Sequence, residues 1–410
     1  MPAPRTAAPV IVDLLVTGAA EVLTCAADAP DLVGRTTGGG VAVDAGVIVA
    51  VGDVSGYLGR VNVDARGGVL LPGFVDAHTH VVFGGSRVQE HTATVAGLPV
   101  PPGAAVGIMG TTTLTRTATV TELVEQAEVR VQRMLAAGTT TLESKSGYGL
   151  DPAAELRILT ANRRLNTSVV PEVVSTYLGA HAIPPDVPVS TYVDAVVAQV
   201  PEVAANGLAE FCDVYCDTGY FDLDQTRRIL EAGLASGLAP KLHLDAYSHT
   251  GAAELAVELG AVSVDHLNFT PERELRLLAD AGIVGVYLPC LEYAVAHPRP
   301  LQARELVAAG MEIALATDIC PGCWVTDMQL VIAMACRSGG LSVAQAVRAA
   351  THGAAKSLGR AQTVGSLVPG HQADLIVLDH PTYEHLGYQL GRNAVTTVIK
   401  SGHVVKEPSS

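Results

Sequence analysis

Residues 71–80 read LPGFVDAHTH, a short β-type segment that follows a Pro-Gly turn and ends in two histidines. Side chains two positions apart on a strand point to the same face, so His78 and His80 direct two imidazoles at one point. Two neutral imidazoles on a rigid strand are typical of a zinc or iron site. The alternative is a pair of polar residues at a strand end. The rest of the chain has to supply the context that decides between them.

Composition places the chain among globular proteins with a large core. It has 410 residues, of which 49% are hydrophobic and 16% charged, which argues against disorder. The net charge of −15 argues against nucleic acid or an anionic membrane as a partner, and an anionic substrate would need a local arginine. The seven cysteines are irregularly spaced, so we expect reduced thiols and a cytoplasmic protein. We find no stretch long enough to span a bilayer.

Hydrophobic periodicity divides the chain into three ranges. Residues 10–70 form short β-rich runs between glycine turns, and 365–380 and 395–406 return to this pattern near the C-terminus. Between them, helical and strand patterns alternate, and the strand before His80 is the first of eight. Such alternation predicts parallel strands and an α/β (β/α)₈ TIM barrel. We therefore predict a barrel over 71–360 and a small β-sandwich domain built from 1–70 and 361–410.

A long polar and glycine-rich passage, 81–117, interrupts this order after the first strand. So long a loop inside a compact domain is usually functional. The barrel also makes a prediction of its own, because its active site lies where the strands end. Chemically capable residues do collect there, and they are His78 and His80 on strand one, Glu143 and Lys145 on strand two, His181 on strand three, His243 and Asp245 on strand five, His266 on strand six, and Asp318 on strand eight.

These strand ends predict a catalytic metal site. Three or four nitrogen and oxygen ligands with one open position describe such a site, and the set here is His78, His80, His243 and Asp318. The metal would activate a water molecule by lowering its pKa toward ~7. Asp318 would orient that water or take its proton for the leaving nitrogen. His266 would polarise the carbonyl under attack. For His266 and His181, the alternative is a packed, hydrogen-bonded histidine.

At this point the sequence resembles the amidohydrolase superfamily and, within it, the imidazolonepropionase family. The resemblance covers almost the whole chain, and it is carried by the stretches PGFVDAHTHVVFGGSR, GTTTLESKSGYGLD, STYLGAHAIP, AEFCDVYCD, KLHLDA, VSVDHLN and ALATDICPG. It implies one Zn²⁺ or Fe ion at the four residues named above, and a homodimer. It also implies that Arg87 pairs with a substrate carboxylate, while Tyr148 and His181 contact the ring. A guanidinium suits that role, because it matches a carboxylate in two hydrogen bonds. A solvated loop charge is the alternative for Arg87.

The chain departs from the family pattern around the substrate. Members of the family carry Glu or Gln where this chain has Ala246, Asn where it has Cys320, and Ser or Thr where it has Cys323. We expect Cys320, Gly322 and Cys323 to shape the substrate pocket. A redox pair or two additional metal ligands are alternatives for the cysteines. The neighbours Tyr247 and His249 are candidates to supply the missing polar group.

Three functions follow from this pattern. The first is a metal-dependent hydrolase that opens a cyclic amide C–N bond in a small carboxylate-bearing N-heterocycle. The family's conversion of 4-imidazolone-5-propanoate to N-formimidoyl-glutamate, or a close analogue, is the example. The second is an N-heterocycle deaminase. The third is a non-hydrolytic metal lyase or a ring-binding protein, because Ala246 removes a side chain that is thought to hold the ring and assist the water.

Overall fold

Seven strands precede the barrel in the computed structural model, which describes residues 8–407. They are β1 (Val10–Thr17), β2 (Glu21–Leu23), β3 (Arg35–Thr37), β4 (Gly40–Asp44), β5 (Val47–Gly52), β6 (Tyr57–Asp64) and β7 (Val69–Pro72). The outer ends of the predicted ranges 1–70 and 361–410 lie outside the described residues. Strand β7 runs almost directly into the first barrel strand, because only Gly73 separates them.

Eight parallel strands form the barrel. They are β8 (Phe74–Asp76), β9 (Thr139–Lys145), β10 (Glu172–Ala180), β11 (Phe211–Cys216), β12 (Ala239–Leu244), β13 (Ser263–His266), β14 (Val284–Tyr287) and β15 (Ile313–Leu315). Each strand pairs with the next one along the chain. The barrel closes where the Asp318 amide donates to the His78 carbonyl (3.1 Å) and the His80 amide to the Ile319 carbonyl (2.9 Å). The predicted (β/α)₈ fold is confirmed.

Helices follow the barrel strands on the outside. They are α1 (Val88–Val95), α2 (Gly107–Thr117), α3 (Val120–Ala136), α4 (Pro152–Ser168), α5 (Val189–Ala205), α6 (Leu223–Ala235), α7 (Ala252–Glu258), α8 (Glu272–Asp280), α9 (Pro289–Ala294), α10 (Ala303–Ala308), α11 (Met328–Arg337), α12 (Val343–Arg348) and α13 (Ala354–Ser357), with a π-helical turn at Ala349–Gly353. In α3, the Thr119 hydroxyl and the Glu122 carboxylate form a capping box. Its apolar residues recur every three or four positions, and those that are buried include Leu123, Val131 and Met134.

Residues 81–117 correct the prediction of one long loop, because α1 and α2 lie within them. Helix α2 is rich in threonine, a weak helix former, so its sequence does not indicate a helix. Tertiary contacts hold it instead. Thr111, Thr112 and Thr115 are buried, and the Thr115 hydroxyl accepts from the Gly84 amide at 3.0 Å.

The C-terminal segment completes the β-domain with β16 (Leu375–Leu378), the short helix α14 (His385–Tyr388), β17 (Val395–Lys400) and β18 (His403–Lys406). One sheet has the order β5-β4-β1-β6 and the other β18-β17-β16-β7-β2-β3. Apolar residues of both sheets, such as Leu14 and Leu375, pack in one buried cluster, as the predicted sandwich requires. The boundaries after residues 70 and 360 stay a prediction. Within residues 8–407, no helix is long and apolar enough to cross a membrane.

Candidate metal centre

Three histidines meet at the C-terminal end of the barrel. His78 and His80 follow β8, and His243 lies in β12. One ring nitrogen from each lies within 4.8 Å of the others. Asp318 follows β15, and its Oδ1 is 3.6 Å from Nε2 of His78. The structure therefore brings together all four residues that the sequence predicts as ligands, from strands one, five and eight.

Two buried atoms at this point lack a partner. Within residues 8–407, neither Nε2 of His78 nor Oδ1 of Asp318 makes a hydrogen bond. Burial lowers the pKa of His78 and of His80 well below the ordinary value, so both rings are neutral and can act as ligands. Burial, followed by the charge of Asp265, raises the pKa of Asp318 well above its ordinary value. A cation would satisfy both unpartnered atoms and stabilise the carboxylate, so these residues fit a metal ion.

Hydrogen bonds fix which nitrogen each histidine presents. Nδ1 of His78 donates to Oδ2 of Asp265 at 2.7 Å, and Nδ1 of His243 donates to Oδ1 of Asp213 at 3.2 Å. Nδ1 of His80 donates to the Ser146 carbonyl at 3.1 Å. Since these acceptors hold the proton on Nδ1, the Nε2 atoms are left as ligands.

A buried ion cluster lies behind the histidines. The Lys145 ammonium is 2.7 Å from Asp213, 3.0 Å from Glu143 and 3.1 Å from Asp265. Lys241 is 2.8 Å from the same Glu143, and all five side chains are fully buried. Burial opposes the charge of Lys145, but the three carboxylates outweigh it and raise its pKa well above the ordinary value. Lys145 therefore holds the two carboxylates that orient His78 and His243.

Backbone strain is concentrated at the same edge of the barrel. Asp245 (φ 52°), His266 (φ 79°), Leu267 (φ 66°) and Asp318 (φ 45°) adopt left-handed conformations that non-glycine residues rarely use. They follow or end strands five, six and eight. Such strain costs about 1–3 kcal/mol per residue, and it is typical of functional sites.

A cavity of about 600 Å³ opens above the histidines, a size that suits a small ligand. Its lining includes most of the residues that the sequence predicts for the site, namely His80, Arg87, Tyr148, His181, His243, His266, Asp318, Cys320 and Gly322. Cys323 lies outside this lining. It is buried, and its thiol donates to the Thr317 carbonyl at 3.6 Å. Burial raises the pKa of the thiols of Cys320 and Cys323, which does not favour a reactive or metal-bound thiolate.

Aromatic and imidazole rings form one wall of the cavity. His181 stacks on His80 with ring centroids 4.9 Å apart, and Tyr148 meets both rings edge-on at 5.1 Å. His181 Nδ1 donates to the Gly147 carbonyl at 3.0 Å. Burial lowers the pKa of His181 to about 3, and it does the same for His266. Both rings are therefore neutral at physiological pH and can donate or accept one hydrogen bond each.

Arg87 enters the cavity from the loop after β8. Its Nε donates to Oε2 of Glu90 at 2.5 Å, and the other Glu90 oxygen accepts from the Gly107 amide at 3.0 Å. A Cβ built on Gly322 would lie 3.8 Å from Nη1 of Arg87, so the guanidinium lies beside the loop that follows Asp318. Glu90 thus fixes one edge of the guanidinium.

The sequence interpretation missed several lining residues. Asn268, Glu292 and His297 border the cavity, together with Tyr215 and Tyr220. Asn268 and Glu292 come shortly after strands six and seven, so the rule that functional residues follow barrel strands could have found them. Of the two neighbours considered as substitutes for the side chain missing at Ala246, Tyr247 lines the cavity. His249 instead contacts Glu274 at 3.0 Å.

A (β/α)₈ barrel with three histidines and an aspartate at its strand ends is typical of amidohydrolases. Residues 208–405 of this chain match the amidohydrolase family model. A zinc-bound adenosine deaminase from Xanthomonas campestris has the same fold, with a TM-score of 0.73 and 20% identity over 97% of this chain and 94% of its own. An imidazolonepropionase from Geobacillus kaustophilus is 43% identical over 90% of both chains. One from Halobacterium salinarum is 40% identical over 96% of this chain and 97% of its own. The chain therefore belongs to the imidazolonepropionase family of amidohydrolases, and family and site together indicate a metal cofactor.

Proposed function

We propose that the protein is a metal-dependent hydrolase that opens the ring of 4-imidazolone-5-propanoate to N-formimidoyl-glutamate, with one Zn²⁺ or Fe ion per chain. The observation that carries this proposal is the convergence of His78, His80, His243 and Asp318, with two unpartnered ligand atoms, in a member of this family. Three imidazole nitrogens and one carboxylate oxygen suit zinc and iron alike.

Each residue has a defined task in this reaction. The metal ion, when bound, supplies a Lewis acid that makes water nucleophilic at neutral pH. Asp318 takes a proton from the attacking water and delivers it to the ring nitrogen that leaves. His266 is neutral because burial lowers its pKa, so it donates a hydrogen bond to the carbonyl oxygen as negative charge develops there.

The remaining residues bind and orient the substrate. Arg87 pairs with the propanoate group, which an acidic chain of net charge −15 would otherwise repel. Tyr148 and His181 hold the ring from the stacked wall. Cys320 and Gly322 border the cavity beside Arg87, and Cys323 supports their turn from behind through paired backbone bonds with Cys320 of 2.9 and 3.1 Å.

The proposal is tested by elemental analysis together with a progress curve on 4-imidazolone-5-propanoate. We expect about one metal ion per chain and turnover without release of ammonia, since ammonia would indicate a deaminase. The variant His78→Ala should lose both metal and turnover. The matched control His249→Ala changes an exposed histidine outside the cavity and should keep both. Metal-free wild-type protein after reconstitution with zinc and with iron, or metal-loaded protein without turnover, would refute this function.

We also propose that the protein is a cytoplasmic homodimer. Its seven cysteines are all unpaired thiols, and six of them are buried, which supports a reducing compartment. Light scattering at micromolar concentration should give twice the chain mass. A monomer of unchanged activity would refute the dimer, and recovery of the protein from a secreted fraction would refute the location.

A further inference from the structure

One side of the cavity lacks the polar group that the family pattern leads us to expect. Ala246 lines the cavity beyond strand five, and its side chain ends at Cβ. Its carbonyl accepts from Nε2 of His297 at 2.9 Å, so the backbone at this position offers little to a ligand. A ring N–H that faced this side would lose a hydrogen bond, which is costly in a buried site.

A buried carboxyl group lies on the same side. Glu292 belongs to α9, just after strand seven, and only 6% of its surface is exposed. Its Oε1 accepts from Nδ2 of Asn268 at 2.5 Å and from the Leu301 amide at 3.1 Å. Its Oε2 makes no hydrogen bond to residues 8–407. This oxygen is not completely buried, so a ligand can reach it. One oxygen is therefore anchored, while the other has no protein partner in a residue that lines the cavity, within residues 8–407.

His297 connects this carboxyl group to the position of Ala246. The His297 amide donates to the Glu292 carbonyl at 2.8 Å, and its ring donates to the Ala246 carbonyl. The loop after strand seven is thus fixed against the loop after strand five. Through His297, Glu292 and Ala246 are therefore held in fixed positions in the lining of the same cavity.

We propose that Glu292 is a substrate-binding residue that accepts a hydrogen bond from a ring N–H, in place of the side chain that is absent at Ala246. The inference rests on the proposed function and refines its substrate class. The ligand is a five-membered ring with an N–H on the strand-seven side and a carboxylate that reaches Arg87. Two opposite charges, Glu292 and Arg87, then bind two chemically different edges of one small molecule.

Burial supports this assignment, since it raises the pKa of Glu292 to about 7. A carboxyl group that is desolvated at such a cost, and whose hydrogen-bond donors are the neutral amides of Asn268 and Leu301, is expected at a functional site rather than in a structural pair. A desolvated carboxylate also forms a stronger bond to an N–H than a solvated one does.

The test replaces Glu292 by glutamine. In Glu292→Gln, the amide oxygen still accepts from Asn268 and Leu301, but the group that borders the cavity becomes an NH₂ donor that faces the ring N–H. We expect a roughly 30- to 100-fold loss in kcat/KM on 4-imidazolone-5-propanoate, mainly through KM, with no lowering of the unfolding midpoint in urea. The matched control is Glu21→Gln, which alters a buried carboxylate in the β-domain that also accepts from a backbone amide, that of Tyr383. It should leave kcat/KM unchanged.

A second variant separates binding from a structural role. Adding Ala246→Glu to Glu292→Gln returns a carboxylate to strand five, and we expect it to recover at least about tenfold in kcat/KM. Wild-type turnover with equal kcat/KM in Glu292→Gln would overturn the inference and leave the proposed function standing. A loss that Ala246→Glu does not rescue, or one that follows a lowered unfolding midpoint, would also overturn it. Absence of wild-type turnover would overturn the proposed function, and this inference with it.

Discussion

Replacing Lys145 by methionine tests the buried ion cluster beneath the metal site. The cluster contains two ammonium groups, Lys145 and Lys241, and three carboxylates, Glu143, Asp213 and Asp265, all fully buried. Its net charge is therefore one negative, and in Lys145→Met it becomes two negative. Methionine keeps most of the side-chain volume, so the substitution removes charge and hydrogen bonds with little loss of packing.

The magnitude follows from the contacts that are lost. Lys145 is 2.7–3.1 Å from each of three carboxylates. These carboxylates are fully buried, so water does not replace the contacts that they lose in Lys145→Met. Removing one partner from a buried ion pair costs about 3–5 kcal/mol. That is a large part of the roughly 5–15 kcal/mol that holds a typical folded protein together. Asp213 and Asp265 also orient His243 and His78, so metal affinity should fall about 10- to 100-fold.

Urea unfolding of the metal-free protein, followed by circular dichroism, measures the change in stability without the metal's contribution. Competition with a chelator of known affinity measures the change in metal binding. The control is Lys356→Met, the same substitution at a partly exposed lysine of α13. It should change the free energy of unfolding by less than about 0.5 kcal/mol. If Lys145→Met also costs less than about 1 kcal/mol, the cluster does not hold the charges described here, and the argument fails.

Three further predictions concern the site. In Asp265→Asn, Nδ1 of His78 loses its carboxylate acceptor, so chelator competition should give about 10- to 100-fold weaker metal binding; unchanged affinity would contradict this orientation of the ring. In Arg87→Lys, loss of the two-pronged contact should raise KM about 10- to 100-fold and change kcat much less, whereas steady-state kinetics with an unaltered KM would exclude Arg87 as the carboxylate partner. Burial raises the pKa of Glu292 from 4.5 to about 7, so its contribution to stability is complete below pH 4.5 and is lost as pH rises toward 7. Urea midpoints of Glu292→Gln relative to wild type should therefore increase over this pH range, and a constant difference would refute the raised pKa.

The sequence predicted the barrel and the ligand set because both depend on short-range rules. The spacing of His78 and His80 needs only the two-residue period of a strand. Their meeting with His243 and Asp318 needs only the rule that parallel strands end at one face of the barrel. Neither prediction required knowing which side chains from distant parts of the chain pack against each other.

Other parts of the site depend on distant neighbours, and here sequence interpretation failed. Helix α2 exists through tertiary contacts that outweigh the weak helix propensity of threonine. Cys323 and Gly322 are one position apart, yet only Gly322 lines the cavity, because the turn directs the Cys323 thiol toward Thr317. Glu292 resembled any other helical glutamate until the fold placed it in the lining of the cavity, which Ala246 also lines.

The barrel's closure has a consequence for the order in which the protein matures. The first and last strands join through backbone bonds at His78, His80 and Asp318, the same residues that converge on the metal site. About 240 residues of chain separate the two sides of this junction, so it forms only after strand eight has been synthesised. A bound ion would then connect the first strand to the last across the junction. A chain that stops before Ile313 would keep all three histidines and still lack the strand that completes the ring.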